Sequence, residues 1–272
     1  MRLSILASGS SGNATVVEID GTRVLVDCGI SLRQLEKRLR EVGLDVDGLD
    51  AVIVSHEHDD HIRGLEVLLR RHPLPVLASE GTAGALRRVP AVEGSMRAGR
   101  AMRIGGLEIL PVATSHDARE PVGFVFSHRG TRVALVTDTG TVTEPLAEQL
   151  VACNGLLLEA NHDADLLRYG PYPWALKRRI ASNTGHLSNG QARAAVERLA
   201  HDGLELVVAM HLSQENNRPD LAGQEMARPL AGSHVRVEVA RRDHPIVVEV
   251  GQALEGVGQL PLFGADGRAA VG

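Results

Sequence analysis

The sequence predicts an α/β fold in which two stacked sheets carry helices on their outer faces, a four-layer αββα sandwich. The chain has 272 residues, 43% of them hydrophobic, which is enough for one large domain with a sizeable core. Groups of short strands followed by alternating helices and strands occur twice along it. No low-complexity linker interrupts residues 1–250, so we expect these residues to form one domain.

In the first half, apolar runs predict three strands, at residues 2–7, 14–19 and 23–27. Asp20-Gly21 separates the last two and is a strong hairpin signal. Leucines recur at helical spacing from Leu32 until Gly43, which suits a helix C-terminus. Strands are then predicted at 51–55 and 75–78, and helices at about 62–70 and 80–88.

The second half begins with three more predicted strands, at residues 107–113, 122–127 and 132–137, the last two joined by a tight turn at 128–130. Helices are predicted at 143–150, 188–201 and 219–230, and strands at 155–159, 206–210, 235–239 and 246–250. Ser188 and Gln191 form a capping box, so His186 should lie just before a helix.

Composition excludes several classes of protein. The formal net charge of −5 excludes a surface coated in positive charge, so any contact with nucleic acid needs a local basic stripe. No apolar stretch approaches the roughly 18 residues of a membrane helix, and no signal-peptide core is expected. Cys28 and Cys153 make neither a disulfide framework nor a CxxC site, so we expect a cytoplasmic protein.

The most informative segment is SHEHDDH at residues 55–61, directly after a predicted buried strand. His56 and His58 are two residues apart, so an extended backbone projects both to one side, where they can bind one ion. Asp60 and His61 then turn away and can bind a second. Imidazole and carboxylate without thiolate suit Zn, Mn or Fe in a hydrolytic site.

This segment, His-x-His-x-Asp-His, resembles the central motif of the metallo-β-lactamase superfamily. Four later segments resemble the other motifs of that superfamily and follow in the same order: TSHD at 114–117, TDTG at 137–140, GHLS at 185–188 and MHLS at 210–213. The resemblance extends from the first strand to about residue 217 and implies the metallo-β-lactamase sandwich.

The resemblance also implies a role for each motif residue. One metal would be bound by His56, His58 and His116, and a second by Asp60, His61 and His211. Asp138 would bridge the two ions, which we expect to be Zn or Mn. A hydroxide held between two such ions is a potent nucleophile at neutral pH. Asp60 would also be catalytic, by orienting that hydroxide.

His186 and His211 compete for the last ligand position. In phosphodiesterase branches of the superfamily, the histidine before a helix is a proton donor and the histidine after the next strand binds metal. His186 is therefore predicted to be the catalytic acid and His211 a ligand. Glu159 either orients a catalytic histidine or lies in a surface loop, and the sequence leaves both open.

Finer resemblance points to the YycJ/WalJ family, on LASGSSGN at 6–13, LEANHD at 158–163, GHLSN at 185–189 and HLSQENN at 211–217. That family is associated with 5′-to-3′ exonuclease activity on DNA, which implies a dinuclear phosphodiesterase acting in DNA repair. Only 47 residues separate Asp138 from His186, so no inserted β-CASP domain fits. The alternatives are a lactonase or thioesterase on the same fold, and a non-catalytic metal-binding protein.

Several residues are candidates for contact with DNA. The Ser/Gly loop could present N–H groups to a phosphate, so Ser10, Ser11 and Asn13 are predicted to bind substrate. Asn161 and His162 belong to a polar cluster at a strand end and are also predicted to bind substrate. Further phosphate-binding candidates are Arg168 and the basic run Lys177-Arg178-Arg179.

Residues 251–272 form a glycine-rich tail beyond the domain. Its peptide QLPLF, at 259–263, resembles the peptide by which bacterial replication and repair proteins bind the sliding clamp. Gln259, Leu260, Leu262 and Phe263 would make the contacts, with Leu262 and Phe263 as an apolar anchor. The alternative is that these apolar residues fold back on the domain.

Overall fold

The computed structural model describes residues 1–86, 89 and 92–251. The last two residues of the helix predicted at 80–88, and the peptide 259–263 of the tail, lie outside the described residues. The strands are β1 (Arg2–Ala7), β2 (Ala14–Ile19), β3 (Thr22–Val26), β4 (Ala51–Ile53), β5 (Val76–Ser79), β6 (Val92–Met96), β7 (Met102–Ile104), β8 (Leu107–Ala113), β9 (Val122–His128), β10 (Thr131–Val136), β11 (Gly155–Glu159), β12 (Leu206–Met210), β13 (Arg236–Val239) and β14 (Ile246–Glu249).

Helices connect many of these strands. They are α1 (Leu32–Glu41), α2 (Asp59–Ile62), α3 (Leu65–Arg71), α4 (Glu80–Ala85), α5 (Glu144–Leu150), α6 (Ala164–Tyr169), α7 (Trp174–Ile180), α8 (Asn189–Leu199) and α9 (Pro219–Ala227). Within the described ranges, no helix is long and apolar enough to span a lipid bilayer.

The strands form two sheets of seven, in the orders β14-β1-β2-β3-β4-β5-β6 and β13-β12-β11-β10-β9-β8-β7. Both sheets follow one plan. The first three pairs counted from β14, and likewise from β7, are antiparallel, and the remaining three are parallel. Two mixed sheets with helices confirm the predicted fold class.

Alternation along the strands divides the apolar side chains between two cores. In β9, Phe124 and Phe126 belong to the larger core, which joins the two sheets and the leucines of α1 and α3. Val125, on the opposite face of β9, belongs to a second core beneath α5, α8 and α9. Because a side chain changes face at every residue of a strand, near-continuous apolar strands serve both cores.

The two predicted hairpin turns are present. Asp20 and Gly21 have φ angles of 47° and 82°, and Arg129 and Gly130 have 45° and 87°. Two consecutive positive φ angles define the type I′ turn, whose twist matches that of the flanking strands.

The prediction missed α6, α7 and the strands β6 and β7. β6 is mostly exposed and α7 has no buried residue, so neither shows the apolar period on which the prediction rests. The helix predicted to end at residue 230 ends at Ala227, and a 3₁₀ turn follows at Arg228–Leu230. Pro229 in that turn has no N–H with which to continue the α-helix.

Polar residues follow the strands that pair in parallel. Asp27 comes after β3, His56 after β4, Asp138 after β10, Glu159 ends β11, and His211 comes after β12. The carboxyl ends of parallel strands meet at one edge of a sheet, which is where open α/β sheets place their ligands. The fold therefore gathers these side chains at sheet edges.

Candidate metal centre

The loop that carries His56, His58, Asp60 and His61 is fixed by backbone hydrogen bonds. The N–H of Asn13 donates to the carbonyl of Asp60 at 2.8 Å, and the N–H of Cys28 donates to that of His61 at 2.7 Å. Gly29 permits this packing, because a Cβ there would lie 1.7 Å from the carbonyl oxygen of Asp60. The loop is therefore held against both neighbouring turns.

His56, His58 and His116 form the first group of potential ligands, with one ring nitrogen from each lying within 4.8 Å of the others. His116 Nε2 lies 3.2 Å from His58 Nδ1. His116 Nδ1 lies 3.0 Å from the carbonyl oxygen of Gly185, which can only accept, so Nδ1 carries the proton. Nε2 therefore keeps the lone pair that can bind a metal ion.

Asp60, His61, Asp138 and His211 form the second group, on the same distance criterion. Oδ2 of Asp60 lies 3.3 Å from Nε2 of His211 and 3.5 Å from Nε2 of His61. His61 and His211 are both buried. Carboxylate and imidazole thus converge from loops of both sheets.

Asp138 lies between the two groups. Oδ2 of its carboxylate is 3.1 Å from Nε2 of His61, and Oδ1 is 3.7 Å from Nε2 of His116. Its backbone has a φ of 54°, in the left-handed region that few residues other than glycine occupy. His211 shares this conformation, also at 54°. Such conformations concentrate at functional sites.

Glu159 is completely buried, so the surface-loop alternative for this residue is wrong. Its Oε1 lies 2.8 Å from Nδ1 of both His186 and His211. Burial alone would raise the pKa of Glu159, but the charge and hydrogen bond of His186, with the hydrogen bond of His211, lower it to about 2. The ionised carboxylate therefore fixes Nδ1–H on both rings.

His186 falls outside both groups of ligands and belongs with Asp138, Glu159 and His211 in a third. Its ring centroid lies 5.1 Å from that of His116 and 5.3 Å from that of His211. Its side chain is 20% exposed, whereas His211 is buried. The two histidines that compete in sequence thus differ in exposure while sharing one carboxylate.

Asp27 was missed by the sequence analysis. Its Oδ2 lies 2.7 Å from Nδ1 of His61, and its Oδ1 accepts a hydrogen bond from the N–H of Ser55 at 2.8 Å. Asp27 also has a left-handed backbone, with a φ of 60°. An aspartate directly after a buried strand is the one signal in the sequence that could have marked it.

Negative charge dominates the electrostatics of the centre. Burial lowers the pKa of His61, but the carboxylates of Asp138 and Asp27 outweigh burial and raise it well above its ordinary value. Burial also lowers the pKa of His211, but the carboxylates of Asp138, Asp60 and Glu159 outweigh burial and raise this pKa to about 10. Buried carboxylates of this kind require compensating positive charge, which protons or cations can supply.

The donor set fits divalent metal ions. Nε2 of His56 is buried and has no hydrogen-bond partner within the described residues, and burial lowers the pKa of this imidazole well below its ordinary value. Oδ2 of Asp138 likewise has no hydrogen-bond partner by geometry within the described residues, although Nε2 of His61 lies 3.1 Å from it. Neutral imidazole and ionised carboxylate without thiolate are suited to such ions.

The predicted substrate-binding residues differ in position. Asn13 faces the centre, with Nδ2 3.1 Å from Nε2 of His61 and 3.3 Å from Oδ2 of Asp60. Ser10 and Ser11 lie at the surface of the same loop. The N–H groups of Gly9, Gly12 and Asn13 already donate within the protein, so only part of this loop can present N–H groups to a phosphate.

Asn161 and His162 are both buried. Asn161 donates to the carbonyl of His211 at 2.9 Å and so supports the loop of that histidine. Nδ1 of His162 has no partner among the described residues, and burial lowers the pKa of this histidine to about 4. Of the basic candidates, Arg179 is the one in contact with a motif segment, through Asp117 at 2.6 Å.

Comparison with known proteins agrees with this geometry. The model of the family described as beta-lactamase superfamily domain matches residues 22–212, which include every residue of the two ligand groups. The chain is 36% identical to exodeoxyribonuclease YycJ of Bacillus anthracis over 235 residues, 85% of this chain and 89% of that one. It is 37% identical to exodeoxyribonuclease WalJ of Streptococcus pneumoniae over 245 residues, 88% and 91% of the two chains. The chain belongs to the YycJ/WalJ family of the beta-lactamase superfamily.

A solved structure supports the fold of this YycJ/WalJ family member. The metallo-beta-lactamase fold protein YhfI from Bacillus subtilis matches with a TM-score of 0.72 and 18% identity, covering 91% of this chain and 99% of that one. Membership of the superfamily and the His/Asp clusters make the YycJ/WalJ family member described here a metal-dependent hydrolase.

Proposed function

We propose that this chain is a dinuclear phosphodiesterase that degrades DNA from the 5′ end, in the cytoplasm and as part of DNA repair. The observation that carries the proposal is the carboxylate of Asp138 between two ligand groups, in a chain 36–37% identical to two named exodeoxyribonucleases. Two adjacent cation sites suit phosphodiester hydrolysis, because both the attacking and the leaving oxygen need stabilisation.

The ions would be Zn or Mn, held by His56, His58 and His116 on one side and by Asp60, His61 and His211 on the other, with Asp138 shared. When bound, such ions polarise the phosphate, activate water and neutralise the developing charge. We assign these residues as the metal ligands and divide them between the two ions in this way.

The protein's own groups would do the remaining work. Asp60 is 19% exposed at its side chain and would orient the attacking water through a carboxylate oxygen. His186 has Nδ1 bound to Glu159, so its other ring nitrogen is available to give a proton to the departing 3′ oxygen. The substrate would be bound by two groups of residues, which are Ser10, Ser11 and Asn13 in the Ser/Gly loop, and Asn161 and His162 after β11.

The test is incubation of metal-loaded protein with a labelled 5′-phosphorylated DNA, beside a lactone and a thioester. We expect nucleotides to be released from the 5′ end, with a loss of release in chelator and at high salt, because DNA binding weakens steeply with salt. Hydrolysis of the lactone or thioester without release of nucleotides would contradict the proposal and identify a small-molecule hydrolase.

We also propose that residues 1–250 are the catalytic domain and that the tail, 251–272, binds the sliding clamp through the peptide 259–263. In the sequence, glycines flank the peptide on both sides, and Leu262 with Phe263 would offer an apolar anchor to a groove on the clamp. The test is calorimetric titration of the clamp with the full chain and with a Leu262→Ala/Phe263→Ala variant. Equal binding by both, or no binding by the full chain, would refute it.

A further inference from the structure

A surface cavity of about 300 Å³ lies between α1 and α3. Its wall includes one arginine from each of these helices and one from the residue that follows α2, namely Arg33, Arg71 and Arg63. Glu36 also lines the cavity, so three positive charges stand against one negative charge. We name the cavity lined by these four residues the arginine cavity.

The protein does not neutralise the positive charge of the arginine cavity. Within the part of the chain that the structure describes, none of its three arginines forms an ion pair, whereas the neighbouring Arg70 pairs with Glu66 at 3.1 Å. Nη1 of Arg63 donates to the carbonyl oxygen of Ser11 at 3.1 Å, which leaves its charge uncompensated. In a chain whose net charge is −5, this is a local basic region of the kind that an anionic ligand needs.

The N-terminus of α1 adds to this positive potential. Ser31 and Leu32 line the arginine cavity, and the hydroxyl of Ser31 accepts a hydrogen bond from the N–H of Gln34 at 3.4 Å. The N–H groups of Leu32 and Arg33, in the same turn, have no acceptor within the helix. Such N–H groups stabilise an anion, and guanidinium groups bind phosphate oxygens in pairs. The arginine cavity therefore has the chemistry of a phosphate site.

Arg63 connects the arginine cavity to the metal centre. It directly follows α2, the short helix that carries Asp60 and His61. Its guanidinium group holds the carbonyl of Ser11, in the Ser/Gly loop. The same loop faces the centre through Asn13, whose Nδ2 lies 3.3 Å from Oδ2 of Asp60. The arginine cavity and the second ligand group thus share one segment of chain and one supporting loop.

We propose that the arginine cavity binds one backbone phosphate of a DNA strand whose 5′ end lies at the metal centre. An enzyme that removes nucleotides from the 5′ end must hold the remainder of the strand beside its centre. A strand in a duplex carries one phosphate for about every 3.4 Å of axis, so further phosphates lie close to the scissile bond. Contacts to them fix the position of the strand without reading its sequence. This inference rests on the proposed function and adds a binding site for the strand.

The salt dependence of DNA affinity tests the inference. The double variant Arg33→Gln/Arg71→Gln removes two guanidinium groups and leaves Arg63, which supports Ser11, in place. We expect the metal-loaded variant to bind a labelled duplex with phosphorothioate linkages, which resist hydrolysis, about tenfold more weakly. The slope of log affinity against log salt concentration should become shallower by about one. Fluorescence anisotropy measures both quantities, and unchanged affinity and slope would overturn the inference.

Arg70→Gln is the matched control. Arg70 precedes Arg71 on α3 and carries the same charge, but it pairs with Glu66 and does not line the arginine cavity. Its affinity for the duplex and its salt slope should equal those of the unmodified chain. A loss in Arg70→Gln as large as that in the double variant would also overturn the inference, because general charge on α3 would then explain the binding.

Hydrolysis of two substrates separates the arginine cavity from the metal centre. Bis(p-nitrophenyl) phosphate is a phosphodiester too small to occupy both. We expect the double variant to lose about tenfold in kcat/KM on DNA relative to this small phosphodiester, chiefly through KM, because a contact made equally in the bound substrate and the transition state is removed. An equal loss on both substrates would contradict the inference and indicate damage to the centre.

A free nucleotide carries the same phosphate chemistry, so deoxyadenylate is titrated against the unmodified chain and the double variant by calorimetry. Loss of deoxyadenylate binding in the variant, with unchanged affinity for the duplex, would assign the cavity to a free nucleotide and overturn the inference. Failure of the proposed function is a separate result. It follows if the unmodified chain releases no nucleotides from DNA, whereas release of nucleotides with unchanged duplex affinity in the double variant refutes the arginine cavity alone.

Discussion

Oδ2 of Asp27 lies 2.7 Å from Nδ1 of His61, which fixes that ring with Nε2 directed at Asp138 and Asp60. A carboxylate behind a ligating histidine sets its tautomer and raises its basicity. We therefore expect Asp27→Asn to lower affinity for one of the bound metals by about 10–100-fold. Metal titration followed by calorimetry measures this. Asp202→Asn, at an exposed residue, is the control, and equal affinity in both variants would refute the role of Asp27.

Glu159→Gln should impair both His186 and His211, because the amide keeps the shape of the carboxylate but loses the charge that holds both Nδ1–H groups. We expect activity to fall by about 10–100-fold. Hydrolysis rates and metal content, measured on the same preparation, check this. Glu148→Gln, on the exposed face of α5, serves as the matched control. An unaffected rate in Glu159→Gln would show that the two hydrogen bonds have no functional part.

His186→Ala and His211→Ala should differ in metal content. Loss of a general acid costs about 10²–10⁴-fold in rate, so we expect His186→Ala to be nearly inactive with its metals retained. His211→Ala should instead lose one of the two ions. Elemental analysis of both variants decides the matter. Loss of metal from His186→Ala would mean that the two assignments must be exchanged.

Asp60→Ala should abolish nearly all activity, since it removes the carboxylate that we propose as a metal ligand and as the group that orients the attacking water. The rate on labelled DNA is the measurement. Asp59→Ala is the matched control, because Asp59 is the neighbouring carboxylate on the same helix and belongs to neither ligand group. Comparable rates in the two variants would contradict the role of Asp60.

Removal of metal should lower thermal stability, because the two ligand groups join loops of both sheets. A ligand present at 100 times its Kd stabilises a protein by about 2.7 kcal/mol. In a chain of this size that corresponds to about 5–10 °C in Tm, which calorimetry with and without chelator measures. In Asp138→Asn the chelator should have a smaller effect. An equal Tm with and without chelator in the unmodified protein would contradict the expectation.

Elements with buried side chains are predictable from the sequence, and exposed elements are not. Strands such as β9 were predictable because Phe124, Val125 and Phe126 are apolar on both faces, and the hairpins because Asp20-Gly21 has a specific backbone requirement. The helix α7 was not, since a helix without buried residues has no apolar stripe. Its exposed tryptophan gave no periodic signal either.

The sequence predicts the candidate metal ligands better than the carboxylates that hold those ligands in place. His56, His58, Asp60 and His61 are consecutive enough to indicate metal binding by themselves, and the resemblance added the more distant histidines. Asp27 makes its contact across 34 residues and could not be inferred from spacing. The sequence leaves two interpretations of Glu159 open, because only the fold shows that the end of β11 is buried.

The shared plan of the two sheets has a consequence for how the centre is built. β3 and β10 occupy equivalent places, where antiparallel pairing gives way to parallel, and Asp27 and Asp138 follow them with matching left-handed backbones. Opposite nitrogens of His61 face these two aspartates. The same place in the plan of each sheet thus delivers an aspartate to one shared imidazole. The ring of His61 is held between two topologically equivalent carboxylates, so a shift of either sheet edge would change the position of the ring.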